Sequence, residues 1–115
     1  MWEIIYYETE SGKCPVYEFI NSIPAKMRAK AAKELELLEE FGTAVQMPYS
    51  KPMVNGIHEL RIQSVNDISR IVYFFFVGQH IILTNGFIKK TKTTPKRELD
   101  KAIKYKADYE RRFVK

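Results

Sequence analysis

Hydrophobic residues recur with helical spacing in some segments of the chain and form short continuous runs in others. WEIIYY (2–7) is a short, β-prone apolar run and predicts a strand. CPVYEFINSI predicts a short helix after Pro15, and PAKMRAKAAKELELLEEFG predicts a longer helix that stops at Gly42. In the longer segment the apolar residues recur at steps of three and four, which predicts one buried stripe of Met27, Ala31, Leu35, Leu38 and Phe41.

The remaining residues predict a loop, three strands and a last helix. The loop covers 43–56, and the apolar runs that follow predict strands at 57–65, 68–77 and 80–88. The turns between the strands, Asn66-Asp67 and Gly78-Gln79, are short enough to require antiparallel hairpins. Thr94 and Pro95 predict the N-cap and first residue of the last helix, whose inner stripe is Leu99, Ala102, Ile103, Tyr109 and Phe113.

The order β-α-α-β-β-β-α predicts a single α+β domain over residues 1–115. Its sheet is expected to be twisted and largely antiparallel, with two N-terminal helices on one face and a basic helix at the C-terminus. Alternation along the strands predicts one core face made of Leu60, Ile62, Ile71, Tyr73, Phe75, Ile82 and Ile88. The opposite face carries Phe74, Phe76, Ile81 and Leu83, so we expect the sheet to be covered on both sides and open at one end.

Hairpin register brings basic side chains to that open end. A symmetric, even-numbered first turn pairs Gln63 with Arg70 and Arg61 with Val72, so Arg61 and Arg70 are predicted to be diagonal neighbours on one face. The second hairpin pairs Arg70 with Phe87 and Val72 with Asn85, and alternation puts Lys89 on the same face. Like charges so close together destabilise a sheet, which points to an anionic ligand such as phosphate. The alternative is that Arg61 pairs with Glu59 or Glu8 and Arg70 with Asp67.

Composition narrows the class of protein. The chain has 115 residues, of which 45% are hydrophobic and 29% charged, as in an ordinary globular domain. Cys14 is the only cysteine, and no Cys/His or carboxylate cluster has a metal-binding spacing, so we expect no metal or other cofactor and a reducing compartment. No basic leader and no apolar run near the ~20 residues of a membrane span are visible, so a cytoplasmic location without membrane association is expected.

The net charge of +5 is distributed unevenly. Residues 89–115 contain eleven Lys and Arg against four Asp and Glu, a balance of +7, whereas residues 1–88 sum to −2. Such a segment attracts phosphate backbones or an acidic partner, or is a solvated helix face, as expected for Lys101, Lys104, Arg111 and Arg112. His58 is expected to face the core and His80 to lie beside a turn, away from the arginines, and Cys14 to be a small buried or half-buried residue.

Two stretches, ELRIQSVNDISRIVYFF and GFIKKTKTTPKRELDKA, resemble the RelE/ParE toxin superfamily and, within it, the phage-derived HigB-like branch of type II toxin–antitoxin systems. The resemblance covers Trp2 to about Ala107. Its specific features are Leu60-Arg61, Arg70 just after the hairpin turn, Phe87 followed by the Lys89-Lys90 pair, and the Thr/Pro start of the last helix.

The resemblance implies a RelE-like fold and a ribosome-dependent endoribonuclease, or mRNA interferase, that inhibits translation. The implied partners are the ribosome, mRNA and a cognate antitoxin, expected to be of the helix-turn-helix type, in a toxin–antitoxin complex. Candidate catalytic residues are Arg61, Arg70, Lys89, Lys90 and Glu59. RNA contacts are expected from Phe87, which would stack on a base, and from Lys92, Lys96, Arg97 and Gln63.

The chemistry of RNA cleavage sorts these candidates by role. Attack by the 2′-OH requires a base, stabilisation of the phosphorane charge and an acid for the leaving 5′-oxygen. Arginine suits charge stabilisation but is a poor base because its pKa is so high. Crowding by neighbouring cations lowers the pKa of a lysine, so Lys89 is the better base candidate, and Glu59 is the other. A gyrase-inhibiting, ParE-like toxin and a non-enzymatic basic RNA-binding module remain as alternatives.

Overall fold

The computed structural model describes residues 1–63 and 68–113, in which α-helices pack on a five-stranded sheet in an α+β arrangement. Its strands are β1 (Glu3–Tyr6), β2 (Ser50–Pro52), β3 (Ile57–Gln63), β4 (Ile68–Phe76) and β5 (His80–Ile88). Its α-helices are α1 (Pro15–Ser22), α2 (Ala25–Phe41) and α3 (Lys96–Phe113). The predicted class and the predicted helices are therefore confirmed, while the turn predicted at Asn66-Asp67 lies outside the described residues.

The five strands form one sheet in the order β1-β5-β4-β3-β2. β1 pairs with β5 in parallel, and the other neighbours are antiparallel, so the sheet is mixed. The prediction of a continuous loop over 43–56 is wrong, because Ser50–Pro52 pairs with His58–Leu60 as a short edge strand. Pro52 is tolerated there because an edge strand leaves one row of backbone groups unpaired. No helix of the described chain is long and apolar enough to cross a membrane.

The sheet has a hydrophobic core on each face, as predicted. Helices α1 and α2 cover one face, where Met27, Leu38 and Ile71 are buried. Helix α3 covers the other face, where Phe74 packs with Ala102 and Tyr109. Two buried faces on the central strands explain why β4 reads as a continuous apolar run rather than as an alternating one.

A bulge in β5 corrects part of the predicted face assignment. Val72 pairs with Asn85, as predicted, but Tyr73 pairs with Leu83, so Thr84 is an extra residue on its strand. The Thr84 hydroxyl donates to the carbonyl of Val72 at 3.1 Å and so retains a hydrogen bond at the bulge. Beyond the bulge the alternation is reversed, which puts Ile81 and Leu83 in the α1/α2 core and Ile82 in the α3 core, opposite to the prediction.

The end of α2 departs from its apolar stripe. Met27, Ala31, Leu35 and Leu38 are buried as predicted, whereas the Phe41 side chain is 49% exposed. Gly42 ends the helix with a φ of 50°, and its N–H donates to the carbonyl of Leu38. The Trp2 ring packs directly on Gly42, so Trp2 occupies the place at which a side chain would otherwise project.

Gly42→Ala should therefore destabilise the fold by about 2–3 kcal/mol, because it combines a positive φ with a steric clash. A Cβ at this position would clash with Nε1 of Trp2. Gly12→Ala is the matched control: Gly12 also has a positive φ, but nothing lies within 4 Å of its added Cβ, so only the backbone cost of about 1 kcal/mol is expected. Urea unfolding of both variants measures the difference, and equal losses would show that Trp2 moves aside.

Helix α3 is attached to the sheet by polar contacts at both ends. It begins at Lys96, one residue later than predicted, and the Thr94 hydroxyl does not cap it but donates to the Glu59 carboxylate on β3. In the first turn, the Asn85 amide donates to the buried Glu98 carboxylate at 3.1 Å. Near the C-terminal end, Asp108 accepts a 2.6 Å hydrogen bond from the Tyr7 hydroxyl. These contacts fix where α3, and the basic segment before it, lie relative to the strand ends.

Candidate active site

Arg61 and Arg70 lie directly opposite each other on β3 and β4. The predicted diagonal arrangement is wrong, because opposing positions are two residues out of the predicted register: Gln63 faces Ile68 and not Arg70. The Arg61 N–H donates to the carbonyl of Tyr49, away from β4, so the arginines form a non-hydrogen-bonded pair, whose Cα atoms lie about 4.5 Å apart. The like charges are therefore closer than the sequence predicted, and the electrostatic cost is larger.

Arg70 is buried and held by a carboxylate. Its side chain is 3% exposed, and its Nε donates to Oε1 of Glu59 at 3.1 Å. Glu59 is itself 1% exposed, and its other oxygen accepts the hydrogen bond from Thr94. Burial, followed by the charge of Arg61, lowers the pKa of the Arg70 guanidinium, while Glu59 opposes this shift. Both Glu59 oxygens are thus engaged, and the carboxylate orients Arg70 and the residues before α3.

Arg61 is half-buried, in contrast to Arg70. Within residues 1–63 and 68–113 it forms no ion pair, so the predicted pairing with Glu59 or Glu8 is not seen, and Glu59 serves Arg70 instead. Asp67, the alternative partner considered for Arg70, lies outside the described residues. The sheet therefore presents one guanidinium neutralised by a carboxylate next to one without an ion pair in the described chain.

A pocket at this end of the sheet brings the basic side chains together. We call it the arginine pocket; it has a volume of about 490 Å³ and is lined by Arg61, Ile68, Arg70, Lys89, Lys90, Thr91 and Lys92. The Lys89 N–H donates to the carbonyl of Ile68 at 2.8 Å, which extends the β4–β5 ladder and fixes Lys89 on the arginine face. The prediction that Arg61, Arg70 and Lys89 lie together at this end of the sheet is confirmed.

Lys89 has an altered pKa. Desolvation by burial lowers the pKa of its ammonium, and the charges of Arg70, Arg61 and Lys51 lower it further, against the opposing charge of Glu59. Lys51 contributes because it lies on the edge strand β2, directly opposite Glu59 in the strand register. A lysine with a lowered pKa loses its proton more readily, which is the property that a general base needs.

The remaining candidate residues lie around the pocket in different ways. Lys90 and Lys92 are exposed and line it, and Gln63 is exposed at the end of β3. Lys96 and Arg97 are exposed at the start of α3, where Lys96 pairs with Asp100. Phe87 is only 7% exposed and packs in the core under α3, so this conformation does not offer its ring for stacking on a base.

The histidines lie apart from the arginine pocket, as predicted. His58 is half-buried on the α1/α2 face, where its ring stacks on Tyr73, and burial lowers its pKa. His80 pairs with Glu3 at the opposite end of β5 from Lys89.

Tyr49 lies in the segment that was predicted to be a loop. It is next to Arg61 because β2 begins at the following residue. The described residues contain no group of three His, Cys, Asp or Glu side chains that could hold a metal ion.

One comparison with known proteins identifies a related family. A family model described as Phage derived protein Gp49-like (DUF891) matches residues 18–107, which include β3, β4, β5 and every residue that lines the arginine pocket. A search of the curated proteins found no match.

Proposed function

The chain belongs to the Gp49-like family of phage-derived, RelE-like toxins associated with toxin–antitoxin systems, and from this premise we propose that it is a HigB-like mRNA interferase. In this proposal residues 1–115 are one RelE-like toxin domain, which cleaves mRNA on the ribosome and thereby inhibits translation. The observation that carries the proposal is the arginine pocket, in which Arg61, Arg70 and Lys89 converge on one open site.

The pocket supplies groups for each chemical requirement of cleavage through a 2′-OH. In the proposed reaction the Lys89 amine removes the 2′-OH proton, and the 2′-oxygen bonds to phosphorus as the bond to the 5′-oxygen breaks. Arg61 stabilises the charge on the phosphorane oxygens, since a guanidinium fork matches phosphate geometry. Arg70, buried and held by Glu59, lies directly opposite Arg61 and supports its position at the site. The Lys90 ammonium, on the rim of the pocket, donates a proton to the leaving 5′-oxygen. The products are a 2′,3′-cyclic phosphate and a free 5′-OH.

Glu59 has a positioning role in this mechanism. Its two oxygens hold Arg70 and Thr94, so it fixes a cation from the sheet and the segment that precedes α3. A base must reach the proton that it removes, and a carboxylate with 1% exposure and two hydrogen bonds is less accessible than Lys89. We therefore assign base catalysis to Lys89 rather than to Glu59.

The same charges account for the proposed partners. A cationic groove attracts the phosphates of mRNA and of the ribosome over long range. Lys92, Lys96 and Arg97 extend this positive surface beyond the pocket. A cognate antitoxin of the helix-turn-helix type would neutralise the toxin most directly by placing acidic side chains over these residues.

Expression of the toxin in growing bacteria tests the proposal. Wild-type protein should arrest growth and produce new transcript ends within translated messages. Arg61→Gln should lower the yield of these ends about tenfold, because the accessible guanidinium that stabilises the phosphorane is lost. Lys26→Ala, which removes an exposed lysine at the start of α2 on the other face, is the matched control and should cleave like wild type.

Two other outcomes would replace the proposal. Growth arrest with intact messages and altered DNA supercoiling would indicate a gyrase-directed, ParE-like toxin. RNA binding without cleavage or growth arrest would indicate a basic binding module. Kinetics separate the last case from a nuclease, because substitutions in a binder reduce affinity whereas those in a catalyst reduce rate with binding retained.

A further inference from the structure

A second pocket adjoins the arginine pocket, and we propose that it is a subsite for one nucleobase, best matched by guanine, of the RNA that the toxin cleaves. We call it the edge pocket; it is lined by Lys30, Glu34, Pro48, Tyr49, Arg61 and Gln63. The inference rests on the proposed function for the identity of the RNA. The edge pocket has a volume of about 260 Å³, which lies below the usual range of pocket volumes for drug-sized ligands and suits a single small ring system.

The position of the edge pocket follows from the short strand β2. β2 covers His58, Glu59 and Leu60 but does not extend along the rest of β3. The open edge at the end of β3 therefore lies next to α2 and to the turn that precedes β2. Arg61 contributes to both pockets, so an RNA strand with a phosphate in the arginine pocket can place an adjacent base in the edge pocket.

The Glu34 carboxylate indicates what kind of ligand the pocket takes. Glu34 is 4% exposed, and its Oε1 lies 3.5 Å from Nζ of Lys30. Within the part of the chain that the structure describes, its Oε2 is buried and has no hydrogen-bond partner. A buried oxygen without a partner is costly, and most such oxygens in proteins are hydrogen-bonded. Rotation of the Glu34 carboxylate toward a ligand that brings an N–H donor would remove this cost, whereas a phosphate would be repelled by the carboxylate.

Guanine matches the other groups in the pocket. Its Watson–Crick edge presents the N1 and N2 donors side by side, which suit a carboxylate, with the O6 acceptor beside them. The Lys30 ammonium or the Gln63 amide can donate to such an acceptor, and both line the pocket. Tyr49 is exposed enough to offer its ring as a stacking surface. The Watson–Crick edge is available because single-stranded RNA, unlike a duplex, leaves it unpaired.

Binding of short RNAs that cannot be cleaved tests the subsite without the nuclease reaction. Fluorescence anisotropy would compare labelled trinucleotides with 2′-O-methyl groups that carry guanine or inosine at the centre, since inosine lacks only the N2 amino group. We expect wild type to bind the guanine probe about tenfold more tightly. Glu34→Gln, which keeps the size of the side chain, should reduce this preference to about twofold or less, and Lys26→Ala should leave it unchanged.

A second pair of variants tests the stacking surface. Tyr49→Ala should weaken both probes by a similar factor of about ten, whereas Tyr49→Phe should bind like wild type. Thermal unfolding of each variant shows whether the fold is retained. Equal affinity of wild type for the two probes, or no measurable binding of either, would overturn the subsite.

Mapping of cleavage sites in cells separates this inference from the proposed function. Cleavage next to guanine that becomes indifferent to guanine in Glu34→Gln would support both. Cleavage with the same sites in wild type and Glu34→Gln would refute the subsite and leave the nuclease. A guanine preference in the binding assay without cleavage in cells would support the subsite and refute the nuclease.

Discussion

Replacing Lys89 with methionine is expected to lower the single-turnover rate of mRNA cleavage by a factor of about 10²–10⁴, the usual contribution of a general base. Methionine keeps most of the length of the side chain but cannot accept a proton. Binding should change much less, because Arg61, Arg70 and the exposed lysines of the arginine pocket still attract phosphate. The measurement uses preassembled ribosome–mRNA complexes with the toxin in excess, so that rate and affinity are obtained separately.

The pH dependence of the same reaction identifies the form of Lys89 that acts. A base works when it is deprotonated, so the wild-type rate should rise about tenfold for each pH unit below the pKa of Lys89 and level off above it. Burial and the neighbouring cations lower this pKa, so the plateau should begin at a lower pH than for an ordinary lysine. In Lys89→Met this dependence should be absent.

Lys89→Arg separates base catalysis from charge. Arginine restores a cation at the same position but stays protonated at any pH that the ribosome tolerates. If Lys89 acts as the base, Lys89→Arg will be as slow as Lys89→Met, and Lys26→Ala will retain the wild-type rate and pH profile. A rate for Lys89→Arg close to that of wild type would show that only the charge of Lys89 is needed.

The sequence was sufficient to predict most of the fold. Helical spacing fixed α2, because Met27, Ala31, Leu35 and Leu38 form the only stripe that can pack on the sheet from that segment. It did not predict β2, because Ser50–Pro52 has neither apolar alternation nor β-prone residues and is a strand only through its pairing with β3. Nor was the bulge at Thr84 predicted, although Gly86, two residues later in β5, is a residue type that often marks a bulge inside a strand.

The composition of the candidate site was easier to predict than its geometry. Strand alternation predicted that Arg61, Arg70 and Lys89 lie on one face of the sheet. A register error of two residues does not change this prediction, because side chains alternate between the faces with a period of two. The register itself depended on a turn of unknown length, so the direct Arg61–Arg70 pairing was missed. The sequence also could not show that Thr94 and Glu59 meet, because a hydrogen bond between residues 35 positions apart depends on how α3 packs. Glu34 was overlooked for a similar reason, since its helix position alone does not reveal its burial.

Glu59→Ala is expected to destabilise the fold strongly, with a loss of about 3–5 kcal/mol in the free energy of unfolding. It would leave the guanidinium of the buried Arg70 without its carboxylate partner. It would also remove the acceptor of the Thr94 hydroxyl, and so loosen the segment before α3. Urea or thermal unfolding measures the loss. Asp100→Ala is the matched control, because it breaks the exposed Lys96–Asp100 pair and should cost at most about 0.5 kcal/mol.

A double replacement shows whether the loss arises from the uncompensated charge. Glu59→Leu combined with Arg70→Met removes both partners and should recover much of the stability, since a buried ion pair is often replaceable by apolar residues of similar size. If the double variant is as unstable as Glu59→Ala, packing around Thr94 accounts for the loss instead of the charge on Arg70.

Glu59→Gln then separates positioning from base catalysis. Glutamine can still accept hydrogen bonds through its single carbonyl oxygen, from Arg70 or from Thr94, so the fold should be largely retained while the orientation of Arg70 is weakened. Because Lys89 remains as the base, the rate should fall but keep its rise with pH, whereas Lys89→Arg should abolish that rise. A pH profile that is flat in Glu59→Gln and unchanged in Lys89→Arg would reverse the assignment and make Glu59 the base. The two profiles together therefore decide which group takes the 2′-OH proton.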